Sequence, residues 1–189
     1  MDADNGGLQS FSEKIGTKYV RSQEEIFTFC KDLTPVFQER NRIKKEMMKN
    51  GAEDEEIFAR MTQEKPIFIF VSDFADFIEK IYSYNETHGT MNKFFENILE
   101  KGSLHNIYFV FDSNMDVAST LLGKKVYNIV IGYGTGMHLG GHLDNPLQKA
   151  FDVSNLPFSE RNKTYKPGEG RSFVGGEDVQ VVIPSSKGV

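Results

Sequence analysis

Apolar residues early in the chain recur with the 3.6-residue period of a helix, at Ile26, Phe29, Cys30, Leu33, Val36, Phe37, Ile43 and Met47. Ser22-Gln23-Glu24-Glu25 stands just ahead of them. A serine followed by a glutamate three residues on can satisfy two free backbone N–H groups reciprocally, so a long helix starts here. Pro35 is expected to bend or interrupt it, because proline has no N–H and its ring crowds the preceding turn. Arg40, Arg42, Lys44 and Lys45 are expected on the outer face, and Lys49-Asn50-Gly51 closes the helix. The acidic run Glu53-Asp54-Glu55-Glu56 suits the positive end of a second, short helix.

After Pro66 the pattern changes. Ile67 to Val71 is apolar without alternation, which predicts a strand covered on both faces, as in a parallel sheet. Phe74, Phe77, Ile78 and Ile81 form one helical face, and Met91, Phe94, Phe95, Ile98 and Leu99 form another that ends at Gly102. The second of these is most simply core, with some of its large apolar surface left over for a groove. Ile107 to Phe111 reads as a second buried strand. Met115, Ala118, Leu121 and Leu122 read as a short helix stopped by Gly123, and Val126 to Ile131 as a third strand. This strand and helix order implies right-handed crossovers and a doubly wound, largely parallel α/β sheet.

From Gly132 the chain turns glycine-rich. Its last clear element is a hairpin, Arg171 to Val174 and Val179 to Ile183, joined around Gly175-Gly176. The whole is expected to form one domain, with an opening segment at 1–21, an α/β core at 22–131 and a tail with a closing hairpin at 132–189 that lies as an appendage at the sheet edge. At 189 residues such a domain buries roughly 70% of its unfolded surface.

Composition narrows the chemistry. Sixteen Phe and no Trp predict a phenylalanine-rich core. A formal charge of -5 gives no basic field for a phosphate backbone, which argues against nucleic acid as a partner. The single cysteine, Cys30, lies in the apolar stripe of the first long helix, where it reads as an inert buried thiol rather than a nucleophile. A lone cysteine excludes a disulfide framework and suits a reducing compartment. There is no apolar run of about 18 residues for a membrane span, and Met1 to Ser10 lacks the basic and apolar regions of a signal peptide. His138 and His142, four apart with Asp144 nearby, have a spacing that zinc uses on a helix. Gly140 and Gly141 between them argue against a rigid helix, so no metal site is assigned.

The remaining motifs occur in a telling order. Glu39-Arg40-Asn41-Arg42 lies toward the end of a long helix; Ile67-Phe-Ile-Phe-Val-Ser-Asp-Phe-Ala-Asp-Phe77 follows; Ile107-Tyr-Phe-Val-Phe-Asp-Ser-Asn114 comes next; and Lys166-Pro-Gly-Glu-Gly-Arg-Ser-Phe173 precedes Val179-Gln-Val-Val-Ile-Pro184. Over about residues 8 to 184 this resembles the FtsK/SpoIIIE family of hexameric motor ATPases, and more closely the last ATPase domain of the EssC/EccC proteins of type VII secretion. The first strand looks like that family's Walker B strand, the second like its sensor strand, and the last segment like its closing Pro-Gly-x-Gly hairpin.

The resemblance implies a RecA-like P-loop NTPase core, N-terminally truncated. It also makes the departures informative. No G-x-x-x-x-G-K-[ST] is present, so the backbone cradle and lysine that hold nucleotide phosphates are missing. In the family that loop lies just upstream of the matching region, so Asp2 to Leu8 would be the end of a strand that follows it, and the chain a piece or a relic of a larger protein. Aligned without gaps, Ser72 stands at the magnesium-site aspartate and Asp73 at the glutamate that orients water. A hydroxyl cannot replace a carboxylate beside Mg²⁺, and Asp is one methylene short of Glu. Shifted by one, Asp73 takes the metal position and Phe74 replaces the catalytic glutamate. Asp112-Ser113 stands where the motors carry Thr-Gln.

The nucleotide-site positions implied are therefore Ser72, Asp73, Asp112 and Ser113, with no ATPase activity expected of this chain alone and no catalytic residue assigned. The plainer reading of Asp73 is a solvated turn residue that caps the next helix. ATP and magnesium are expected only in a complete parent domain. The family further implies a domain for substrate recognition or regulation whose partners are WXG-family secretion substrates, through their C-terminal signal in an apolar pocket, and the other ATPase domains of the parent. That parent would be hexameric and cytoplasmic, anchored to the cell membrane with no insertion by this segment. The rival implication is a piece of an active ATP-driven motor, for protein or, less well suited to the negative charge, DNA.

Overall fold

The computed structural model describes residues 1, 8–88, 91–114, 118–143 and 150–184. Asp2 to Gly7, Met115 and Asp144, which carry sequence-based expectations, lie outside these. The chain parts into two compact units, Met1–Leu121 and Leu122–Val189.

In the first unit, α1 (Gln9–Ile15) leads to α2 (Gln23–Lys49). The capping box forms as the sequence predicts: the Ser22 hydroxyl accepts from the Glu25 N–H, and the Glu25 carboxylate accepts from the Ser22 N–H at 2.9 Å. Pro35 does not interrupt α2, which runs on for 27 residues. Just before it, the Thr34 hydroxyl donates to the Cys30 carbonyl at 2.6 Å. A short helix α3 (Asp54–Met61) follows, then strand β1 (Ile67–Val71), helices α4 (Phe74–His88) and α5 (Met91–Lys101), a 3₁₀ turn at Gly102–His105, strand β2 (Ile107–Phe111) and a last short helix α6 (Ala118–Leu121).

Strands β1 and β2 pair in parallel, from Ile67 opposite Ile107 to Val71 opposite Phe111. Their inner face meets a core built on phenylalanine. Phe74, Phe77 and Phe95 are all but inaccessible, and Phe95 sits edge-on to Phe77 at 4.9 Å between centroids. The outer face corrects the expectation of cover on both sides: Phe68, Phe70 and Val110 are exposed, and Phe68 stacks on Tyr108 at 5.3 Å. The helices of this unit take up only the face carrying Ile69, Val71 and Ile107, so a continuous apolar run here has one dry side and one wet side.

Arg40 is a second correction. It is buried, not on the outer face of α2, because it falls on the stripe Ile26, Cys30, Leu33 and Phe37. Its Nη1 donates to the carbonyls of His105 (2.6 Å) and Asn106 (3.2 Å), and its Nη2 to the carbonyl of Lys65 (2.7 Å). Asn106, at φ 56°, ends the 3₁₀ turn in the left-handed region and donates from its side chain to the Glu64 carbonyl at 2.7 Å. One guanidinium thus ties together the chain just before β1 and just before β2.

The second unit holds α7 (Lys125–Gly132), β3 (Gly136–His142), α8 (Phe158–Arg161), β4 (Thr164–Val174) and β5 (Glu177–Val182). The expected third parallel strand at Val126 to Ile131 is the helix α7. Its apolar run is too short for periodicity to separate a strand from a buried helix, and burial of Val126 and Tyr127 sets one helical face. Among the described residues a doubly wound sheet is accordingly not what forms: besides the two parallel strands there is an antiparallel sheet in the order β3-β4-β5. The β4-β5 hairpin turns at Gly175-Gly176, where φ is 63° and 83°, the left-handed pair that a two-residue hairpin turn demands. Leu143, Leu156, Tyr165 and Phe173 form the core of this unit, with Phe151 stacked on Phe173 at 4.5 Å.

Two predictions follow from these packing arrangements. Arg40→Ala is expected to lower unfolding free energy by about 3 kcal/mol, since three carbonyls lose a charged donor. Arg40→Lys should recover little of this in urea denaturation, because a single ammonium cannot span both strand starts.

The second concerns acid. Burial holds His105 and His138 below the ordinary imidazole pKa, and Lys44, Arg40 and Lys101 around His105 push the same way. Such groups bind fewer protons folded than unfolded, so stability is full above about pH 6.5 and falls as the pH drops below it. Thermal melts at descending pH should show this loss, and His105→Phe should make it shallower; an unchanged slope would rule His105 out as a contributor.

Candidate functional site

The parallel register that starts at Ile67 and Ile107 ends both strands level, and so brings the first residues beyond them side by side. Ser72 and Asp73 leave β1 where Asp112 leaves β2. The Ser72 hydroxyl donates to Asp112 Oδ2 at 3.1 Å, and the Asp73 backbone N–H donates to Asp112 Oδ1 at 2.6 Å. The main chain of Asp112 extends the contact. Its N–H donates to the Val71 carbonyl at 3.1 Å and its carbonyl accepts from the Phe74 N–H at 3.0 Å. Asp112 therefore holds four consecutive residues, 71 to 74.

Asp73 has φ 56°, in the left-handed region that a non-glycine residue seldom occupies. Its Oδ1 accepts from the Asp76 N–H at 3.2 Å and its carbonyl from the Phe77 N–H at 3.0 Å, so it caps α4 as the plainer sequence reading expects. Asp76 in turn pairs with Lys80 at 3.0 Å. On the other side of β1, Met1 docks by its backbone: its amino group donates to the Phe70 carbonyl and its carbonyl accepts from the Ser72 N–H.

Of the four residues picked out by sequence, the fold brings Ser72, Asp73 and Asp112 into one hydrogen-bonded group. Ser113 stands apart from it, exposed, its hydroxyl 3.4 Å from the Asn114 carbonyl. Both Asp112 oxygens and one of the Asp73 oxygens are thus engaged by protein donors. Magnesium takes a near-octahedral set of oxygen ligands, and this group presents one hydroxyl and two carboxylates, whose Asp112 Oδ1, Asp112 Oδ2 and Asp73 Oδ1 each accept from a protein donor.

The other candidates fall elsewhere. Cys30 is buried and its thiol is pushed up to about 12 by burial, which leaves it protonated and unreactive at neutral pH. His138 lies buried on the inner face of β3 with its ring against Tyr165, while His142 is exposed beside the Thr164 hydroxyl. Among the described residues no three His, Cys, Asp or Glu side chains gather as a metal site would need, and no helix is long and apolar enough to cross a membrane.

The glycines of Lys166-Pro-Gly-Glu-Gly have a physical reason. Gly168 sits at φ 83°, and a Cβ on Gly170 would come within 1.8 Å of the His138 carbonyl oxygen, so the close approach of β4 to β3 admits no side chain there. Sequence reasoning missed Arg40, although its place three residues after Phe37 and seven after Leu33 puts it on the apolar stripe.

No protein-family model and no curated protein sequence matches the chain. Two solved structures share its fold. One is the cytoplasmic domain of EssC, at 16% identity and a TM-score of 0.65, with 97% of this chain and 32% of that chain covered. The other is EssC (ATPases 2 and 3) from Geobacillus thermodenitrificans, at 19% identity and a TM-score of 0.64, with 97% and 30% covered. The chain spans about a third of the length of these relatives. At such identities the likeness speaks for architecture: the chain has the fold of an EssC-type ATPase domain.

Proposed function

We propose that this chain is an ATPase-like domain whose nucleotide site has lapsed and which serves substrate recognition or regulation in a type VII secretion motor. The observation that carries the reading is at the strand tips. In the ungapped register of the resemblance Ser72 would stand where a metal-site carboxylate is expected, and the Asp112 carboxylate accepts from the Ser72 hydroxyl and the Asp73 amide. On this reading ATP and magnesium do not fit the site as it is arranged, and the domain contributes binding rather than turnover. Its partners are the C-terminal signals of WXG-family substrates and the other ATPase domains of a hexameric, membrane-anchored parent, on the cytoplasmic side.

A second reading is favoured by one feature, the exposed outer face of β1 and β2 with Phe68, Phe70 and Val110. Parallel sheets are ordinarily covered on both faces. A further segment bearing the phosphate loop would cover this one, and the chain would then be part of an active motor.

Fluorescence anisotropy with labelled C-terminal peptides of WXG-family proteins separates the two. Saturable binding unchanged by Mg-ATP is the expected result. Binding that appears only with Mg-ATP, or no binding to any peptide, would count against a recognition role for this chain.

A further inference from the structure

We infer that Asp112 is a positioning residue for the strand tips: its carboxylate holds Asp73 in the left-handed conformation, and so commits the Asp73 side chain to capping α4. The starting observation is the positive φ of Asp73, one of two such non-glycine positions among the described residues. The other, Asn106, closes a 3₁₀ turn, a place where the left-handed conformation is routine. Asp73 instead stands between a strand and a 15-residue helix, where the residue before the first turn ordinarily takes an extended backbone. Strain of this kind persists only where neighbours over-determine it, and it gathers at functional sites.

The neighbour here is a single residue. Asp112 accepts the Asp73 N–H on one carboxylate oxygen and the Ser72 hydroxyl on the other, and its main chain bonds Val71 and Phe74 on either side. With the peptide before Asp73 and the amide after it both fixed, the residue between is turned so that its own Oδ1 meets the Asp76 N–H. One oxygen of its carboxylate then serves the helix. The inference rests on the reading of these tips as a lapsed nucleotide site and supplies its structural cause: the residue at the sensor position locks the residue at the Walker B position.

The test is NMR on the full chain, wild type against Asp112→Ala and Asp112→Asn. A positive φ brings an amide proton close to its own Hα, so wild-type Asp73 should give a strong intraresidue cross-peak. Asp112→Ala should weaken it to the level of ordinary helix and strand residues, while amides remote from the tip, such as that of Ile98, stay in place. Asp112→Asn keeps an acceptor for the Asp73 N–H and should retain the strong peak. Retention of the peak in Asp112→Ala would overturn the inference, as would its loss in Asp112→Asn.

Should Asp112→Ala fail to fold, the double variant Asp73→Gly, Asp112→Ala decides the matter. Glycine carries no penalty at positive φ, so folding should return; continued failure would contradict the assigned role. Magnesium titrated into the wild type tests the underlying reading separately. Shifts at the Asp73 and Asp112 amides would sink the lapsed-site reading and leave the conformational result standing.

Discussion

The first unit depends on the Arg40 guanidinium. A buried cation is costly unless its donors are met, and here both terminal nitrogens, though not Nε, meet main-chain carbonyls from two separate segments, Lys65 on one side and His105 and Asn106 on the other. Helix α2 thereby grips the start of β1 and the start of β2 at once. The strand pairing continues the same arrangement, since the Ile67 N–H donates to the Asn106 carbonyl that Arg40 also contacts. Parallel strands have no tight turn between them to set their register. In this unit a side chain from a distant helix does that work.

The consequence appears at the far end of the strands. Because both begin level and run for five residues, they also finish level, and Ser72 meets Asp112 across the gap. The clamp on residues 71 to 74, the left-handed Asp73 and the cap on α4 all follow from a register fixed at the opposite end. Core packing secures the same geometry from the side, through the close contact of Phe74 with Phe111 at 4.4 Å and of Phe77 with Phe95. The proposed function rests on the side chains that meet at these tips, the Ser72 hydroxyl and the Asp73 and Asp112 carboxylates.

Much of this was legible in the chain. The capping box at Ser22, the helical stripe through Leu33, both parallel strands and the double-glycine hairpin turn are local patterns, each backed by a short-range physical requirement. The pairing of Ser72 and Asp73 with Asp112 was foreseeable only through the family resemblance, because it joins residues some 40 positions apart. Three things escaped. Val126 to Ile131 became a helix because a brief apolar run has no decisive period. The outer face of β1 and β2 stayed exposed because sequence alone does not say which elements supply cover. Arg40 was read by its charge rather than by its place on the buried stripe, where long-range carbonyls, invisible to any local pattern, make a cation welcome.

The central claim is that the strand tips no longer constitute a nucleotide site, and calorimetric titration of the folded chain with Mg-ATP addresses it most directly. The account predicts no saturable heat at millimolar nucleotide and no phosphate release. Saturable binding in the micromolar range, abolished by Asp112→Ala or Asp73→Ala while the chain remains folded, would contradict it.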